Sequence, residues 1–324
     1  MIALKFQSVL MASRAYGLLA HDLQYGLSHA YMISSPDDDI VAEFFTLIAT
    51  SVFCKTQNAC QNCSGCLTVL HDNNPDVFAF NSQREKIKVG DMKDFFSSVS
   101  IKPMSNHKLY FVERADLMNI DAQNKLLKTL EEPPKGVTIF LGVANENGVL
   151  DTIKSRCRMV HIDTFSSADI CEALVAIGCE RSVAEVAADC CEGQLGKAQK
   201  IANSPEYASL YQTATDLLAN LKKSGDILNF DSKKEIKDNP EKFFDVLTII
   251  IRDILVAKSN KELILSKHIA DTITELANNY SVQALSQMIL QVNVARKKLT
   301  TNINVTATLD SLFFSILEVK FKWQ

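Results

Sequence analysis

At 324 residues the chain is too long for one ordinary core and suggests two or three domains. Its 47% hydrophobic and 22% charged residues fit a globular protein. No apolar run approaches the roughly 20 residues needed to span a bilayer, and a net charge of −4 argues against a free-standing DNA binder, although a local basic face within an assembly is compatible with it.

The longest apolar candidate, Val246 to Ile251, is closed off by Asp245 and Arg252. At the N-terminus, Arg14 interrupts the only stretch that could form the core of a signal peptide, so a cytoplasmic location without membrane partners is expected. Residues 6–20 form an amphipathic segment, and Ser28 to Ile33 leads into a first strand. The next six residues, Ser34-Ser35-Pro36-Asp37-Asp38-Asp39, contain neither glycine nor lysine. Ile40, Phe44, Ile48 and Val52 then recur every four residues, with Val41 and Phe45 beside them, which predicts a helix.

Nine cysteines without a secretion signal should be thiols or metal ligands, not disulfides. Cys157, Cys171, Cys179, Cys190 and Cys191 are scattered over helices and loops and read as small buried hydrophobes. The other four follow a different pattern, Cys54-x5-Cys60-x2-Cys63-x2-Cys66. Thiolates clustered so tightly suit a tetrahedral Zn²⁺ site, and four protein ligands leave no open position for catalysis.

Asp76 to Phe80 reads as a second strand, and Ile87 to Pro103 as a strand end followed by a helix. Leu109 to Val112 is a short apolar run suited to a buried strand, with Glu113, Arg114 and Asp116 following at its carboxyl end. The next helix has clean ends. Asn119 or Asp121 can cap it, Pro133-Pro134 stops it, and Ala122, Leu126, Leu127 and Leu130 share one face. Val137 to Val143 and Arg158 to Ile162 complete five strands separated by helices, the pattern of a parallel doubly wound sheet. Such sheets bind ligands outside their carboxyl edge.

After Asp163 the strands stop. Ser167–Ile177, Val183–Cys191 and Gln194–Ile201 predict three short helices, broken at Gly178 and Gly193. From about Ser204 the chain reads as wholly helical, over Tyr207–Lys222, Pro240–Lys258, Leu263–Asn278, Val282–Leu299 and Val305–Lys320. Lys222 to Lys237 reads as a flexible charged connection, and Phe243, Phe244, Leu247, Ile250 and Ile251 form a broad apolar stripe.

LLKTLEEPP at Leu126–Pro134, followed after a strand by Ser155-Arg156-Cys157, resembles the clamp-loader branch of the AAA+ proteins. The resemblance covers essentially the whole chain and implies an AAA+-like α/β domain over 1–163 with a zinc loop inserted at 54–66. A small helical lid over 164–204 and an all-α oligomerisation collar over 205–324 complete the expected architecture. Other implications concern the sites. In the family a run like His29-Ala30-Tyr31 opens the nucleotide-binding sheet and a P-loop follows, which needs glycines, a lysine, and Ser or Thr for magnesium. Ser34–Asp39 stands in that place and would put three aspartates before a triphosphate, each like-charge pair at about 4 Å costing roughly 4 kcal/mol before screening. Likewise the family's catalytic Asp-Glu pair is replaced by Glu113-Arg114, and a guanidinium cannot serve as the base. Gly196-Lys197, the only Gly-Lys pair, has no glycine-rich loop before it and stands where an ATPase member places a sensing arginine.

The family also carries a zinc module at the cysteine cluster, with more residues after its first cysteine, so His71 is an alternative to Cys54 as first ligand. Arg156 corresponds to the arginine finger that the family presents across a subunit boundary. The resemblance thus implies a subunit of the bacterial DNA polymerase III holoenzyme that binds no nucleotide and is not itself an enzyme. Its implied partners are the clamp-loader gamma/tau and delta subunits, with the sliding clamp and primed DNA reached through the complex, and its implied cofactor is structural Zn²⁺. Two other readings are an ATP-hydrolysing gamma/tau-like subunit and a stand-alone zinc-containing nucleic-acid module.

Overall fold

The computed structural model describes residues 3–204, 206–231, 234–266, 269–300 and 304–323. The chain divides into two compact units, Met1–Phe165 with Gln194–Lys197, and Ser166–Gly193 with Ala198–Gln324. Among the described residues, no helix is long and apolar enough to cross a membrane.

In the first unit the five apolar runs become β1 (Ala30–Ser34), β2 (Val77–Phe80), β3 (Lys108–Val112), β4 (Val137–Val143) and β5 (Arg158–His161). They form one parallel sheet in the order β2-β3-β4-β1-β5. Its helices are α1 (Gln7–Ala12), α2 (Arg14–Tyr25), α3 (Asp38–Phe53), α4 (Ser64–Leu70), α5 (Lys93–Ser98), α6 (Ile120–Glu131) and α7 (Asp151–Lys154).

Side chains alternate across a strand, so each central strand serves two cores. On one face Met32, Tyr110, Val112, Ile139 and Leu141 pack with Phe95 of α5 and with Leu126 and Leu130 of α6. On the other, Tyr31 stacks on Phe140 at 5.0 Å, Phe140 on Phe111 at 5.0 Å, and Phe45 of α3 leans on Phe111 at 4.9 Å. Helix α3 seats closely here because β4 carries Gly142. A Cβ at that position would lie 2.8 Å from Val41 Cγ1 and 3.0 Å from Phe45 Cζ.

Several boundaries differ from expectation for local reasons. The amphipathic segment 6–20 is two helices, broken at Ser13, whose hydroxyl accepts from the Tyr16 N–H and starts α2. The helix expected within Ile87–Pro103 is only the six residues of α5, and Ile87 makes an isolated parallel bridge to Met118. Helix α6 is capped by Asn119, which accepts from the Ala122 N–H at 2.9 Å, and it ends just before the prolines.

The second unit comprises α8 (Ser167–Ala176), α9 (Arg181–Cys190), most of α10 (Leu195–Ala202), α11 (Glu206–Asn220), α12 (Ile227–Asp231), α13 (Lys234–Asp238), α14 (Pro240–Ala257), α15 (Ala270–Ala277), α16 (Val282–Thr300) and α17 (Val305–Lys322). Phe243, Phe244, Leu247, Ile250 and Ile251 of α14 are fully buried, and Phe243 meets Phe313 of α17 edge-on at 6.2 Å. The charged stretch 222–237 is more ordered than its composition suggests. Its apolar residues Ile227, Phe230 and Ile236 are buried, and Phe230 lies 6.5 Å from Phe313. Residues 232 and 233, within that stretch, lie outside the described residues. The helix expected from Leu263 starts instead at Ala270, because the N–H groups of Leu265 and Ser266 turn to the buried carboxylate of Asp253, at 3.2 and 2.7 Å. Residues 267 and 268 of that expectation again lie outside the described residues.

Candidate functional site

The carboxyl edge of the sheet gathers the charged residues that the sequence placed there. Beyond β1, the Asp37 carboxylate caps α3, accepting from the Ile40 N–H at 3.3 Å, and also accepts from the Gly196 N–H at 2.7 Å. It is 7% exposed, and burial raises its pKa above the ordinary carboxylate value. A helix N-terminus leaves N–H groups unsatisfied and attracts negative charge, the reason such ends hold phosphates. Here the chain's own carboxylate occupies that position.

The next two aspartates are paired with cations. Arg114 Nη1 donates to Asp38 Oδ2 at 3.0 Å, and its Nη2 to Asp116 Oδ2 at 2.9 Å. Arg84 Nη1 donates to Asp39 Oδ1 at 2.5 Å, and its Nε to Glu113 Oε2 at 3.0 Å. The three aspartates are therefore not a bare negative cluster, and part of the charge expected to repel a triphosphate is offset inside the protein. Burial raises the pKa of Glu113 as it does that of Asp37, while its partner Arg84 pulls the other way. Arg114 adopts a left-handed backbone, φ 51°, a conformation that costs a branched or long side chain of order 1 kcal/mol and persists only where surroundings enforce it. Hydrogen bonds to Asp116, then the charge of Asp38, hold its guanidinium firmly protonated. Lys197, the residue after Gly196, is half-buried.

The four cysteines come together. Sγ of Cys54, Cys60, Cys63 and Cys66 all lie within 4.8 Å of one another, and His71 is not part of the group. The separations are 3.5 Å for Cys63–Cys66 and 4.0 Å for both Cys60–Cys66 and Cys54–Cys63. A regular tetrahedron with metal–sulfur bonds of about 2.3 Å has edges of about 3.8 Å, so these four groups could hold a metal ion. Burial opposes ionisation of Cys54, yet the Cys60 N–H and the Thr56 groups hold its thiol down at about 5. The Cys66 N–H lowers Cys63, whereas burial pushes Cys66 itself up. Position 65 accepts only glycine, since a Cβ there would collide with the carbonyl of Phe53. Of the other cysteines, Cys171, Cys190 and Cys191 are buried, Cys179 is half-buried, and burial pushes half-buried Cys157 up to about 12, which fits packing groups.

Arg156 follows α7 in a turn where its N–H donates to Ile153 O at 3.0 Å. Its guanidinium donates to Thr152 O and to Glu131 Oε1, each at 2.9 Å. Two residues that the sequence did not single out organise these surroundings. Arg84 neutralises the network described above. Gln123, buried on α6, donates to Met118 O at 3.0 Å and Gly148 O at 2.9 Å and accepts from the Leu150 N–H at 2.8 Å, tying α6 to the start of α7. A polar residue on the apolar face of α6 was the available signal for Gln123.

The family model described as DNA polymerase III, delta subunit, matches residues 12–166. DNA polymerase III subunit delta' of Bacillus subtilis is 26% identical over 302 residues, covering 90% of this chain and 92% of that protein. Subunit tau of the same organism is 25% identical over 309 residues, which span 86% of this chain and 55% of tau. A gamma-subunit-related protein from Thermotoga maritima aligns in structure with a TM-score of 0.49 at 18% identity, over 94% of this chain and 99% of that one.

Asp37 tests the carboxyl edge. Asp37→Ala removes a helix cap, typically about 1 kcal/mol, and leaves the Gly196 N–H unmatched, so a loss of about 2–4 kcal/mol is expected in urea unfolding. Asp37→Asn keeps one acceptor oxygen but sets its NH2 against the other N–H, because Ile40 and Gly196 donate to different oxygens, so it should fall between wild type and Asp37→Ala. Because burial raises the folded-state pKa of Asp37, its ionisation costs stability as pH rises through that value, so Asn should gain on Asp from about pH 4 upward. An unaltered Asp37→Ala would show that this carboxylate supports nothing.

Proposed function

We propose that this chain, which belongs to the clamp-loader family of DNA polymerase III, is a delta-prime-like subunit that turns over no nucleotide itself and completes the ATP site of a neighbour. One observation carries this reading. The helix N-terminus where a triphosphate would sit holds the Asp37 carboxylate, followed by Asp38 paired with Arg114 and Asp39 paired with Arg84, while Arg156 stands 36% exposed at the end of α7. A phosphoryl-transfer site needs free N–H donors, a lysine, a magnesium shell and a group to orient water. None of Asp37, Asp38, Asp39, Glu113 and Arg114 offers that set. An arginine supplied in trans, by contrast, stabilises charge on the transferring phosphoryl group with a planar, permanently charged fork.

In this role gamma/tau and delta subunits are the partners, and the complex acts in the cytoplasm to load the sliding clamp onto primed DNA. Residues 164–204 serve as a lid and 205–324 as a collar. Cys54, Cys60, Cys63 and Cys66 hold one structural Zn²⁺, which orders a loop containing left-handed Gln57, Ala59 and Gln61. Four thiolate ligands leave that ion no position for substrate.

The metal assignment predicts about one equivalent of zinc in protein purified without added metal, and a tetrahedral thiolate spectrum after cobalt exchange. Cys60→Ser and Cys63→Ser should reduce both and leave the loop open to proteolysis. A fully ordered loop in metal-free protein would contradict it.

Arg156→Ala should leave the subunit folded and assembled, yet slow the ATP site that it faces by about 10³-fold, lowering DNA- and clamp-stimulated hydrolysis and clamp loading. Arg156→Lys should recover little, because the fork is lost. Wild-type hydrolysis and loading by a complex reconstituted with Arg156→Ala would remove this role.

A further inference from the structure

The two sequence signatures meet in space. Glu131 ends α6, which carries LLKTLEEPP, and Arg156 lies in the turn after α7. Arg156 Nη2 donates to Glu131 Oε1 at 2.9 Å, and Nη1 donates to Thr152 O at 2.9 Å and reaches Ser155 Oγ at 3.5 Å. The planar guanidinium is thus held at both terminal nitrogens, which defines the direction of its plane. Of its five N–H donors, Nε–H and at least one other remain for an outside acceptor.

Both anchors are themselves fixed. Helix α6 cannot extend past Glu131, because Glu132 leaves helical geometry at φ −121°, ψ 69° ahead of the prolines. Leu126 and Leu130 bury the same helix in the core, at 0% and 2% exposure. On the other side, Ile153 is buried and roots α7. Glu131 is 51% exposed and Arg156 36%, and exposed pairs of this kind add little to stability. What such a pair does provide is orientation. A free arginine has many rotamers, and one held in place avoids losing that freedom when it engages a phosphate.

We propose that Glu131 is a positioning residue for Arg156, holding the guanidinium plane and its unused donors toward a phosphate of the neighbouring subunit. This inference rests on the finger reading above. The chemistry required of Glu131 is a fixed acceptor opposite one Nη. A neutral glutamine can fill that role in part and an alanine cannot.

Two measurements test it. In the isolated, isotope-labelled chain, the Arg156 Nη2–H resonances should exchange slowly in wild type, quickly in Glu131→Ala, and at an intermediate rate in Glu131→Gln. In the reconstituted complex, Glu131→Ala should lower kcat for clamp-stimulated ATP hydrolysis by about two- to fivefold at unchanged KM, the population bias that an exposed pair can supply. Glu131→Gln should recover most of that loss, and Glu132→Ala should match wild type. Adding Glu131→Ala to Arg156→Ala should cost nothing further, because both act through one guanidinium, whereas a merely structural role would add a second loss. Wild-type kinetics for Glu131→Ala beside an impaired Arg156→Ala would overturn the positioning role and leave the finger standing. Faster turnover in Glu131→Ala would overturn it as well, by making Glu131 a parking contact that competes with phosphate. A silent Arg156→Ala would overturn the finger reading itself, and the positioning role with it.

Discussion

Helix α3 is buried along nearly its whole length, and its N-terminus points into the sheet's carboxyl edge. N–H groups at such an end need an acceptor, and the Asp37 carboxylate supplies it, taking the Gly196 N–H as well. Much of the surrounding structure follows from placing that negative charge there. A buried carboxylate raises the cost of every further anion nearby, and Asp38, Asp39, Glu113 and Asp116 all approach. Arg84 and Arg114 balance them, each gripping two carboxylates. The strain of a left-handed Arg114 is small against leaving Asp38 and Asp116 without a partner. The network joins the ends of β1 and β3 and the loop after β2.

The same unit keeps its opposite features rigid. Helix α6 is capped by Asn119, bound through Gln123 to the segment leading into α7, and stopped at Glu131. Its buried leucines fix it to one face of the sheet, and the aromatic stack of Tyr31, Phe140, Phe111 and Phe45 fixes α3 to the other. The ion pairs at the sheet's carboxyl edge therefore coexist with a well-supported arginine in the turn after α7.

How much of this was legible in the sequence depended on the range of each interaction. The strands were readable because buried parallel strands are continuous apolar runs, and Val137–Val143 holds residue for residue. The cap at Asn119, the proline stop and the grouping of four cysteines are equally local signals. The partner of Asp39 was not readable. Arg84 lies 45 residues away, and the contact forms only because β2 takes the place beside β3. Gly196 and Asp37, 159 residues apart, met for the same kind of reason. Consequently the sequence read as three aspartates facing a triphosphate, while the fold turned one inward and paired the other two. The charged stretch 222–237 misled in the opposite sense, since three spaced apolar residues suffice to anchor it.

In the proposed role, the chain's own ionic groups take the place of a nucleotide. Titration of the purified chain with a fluorescent ATP analogue, with and without magnesium, tests it most directly. No saturable binding at micromolar concentrations is expected, and no magnesium-dependent change in signal. Saturable, magnesium-dependent binding would contradict it, and would place the chain with the ATP-hydrolysing gamma/tau-like subunits instead.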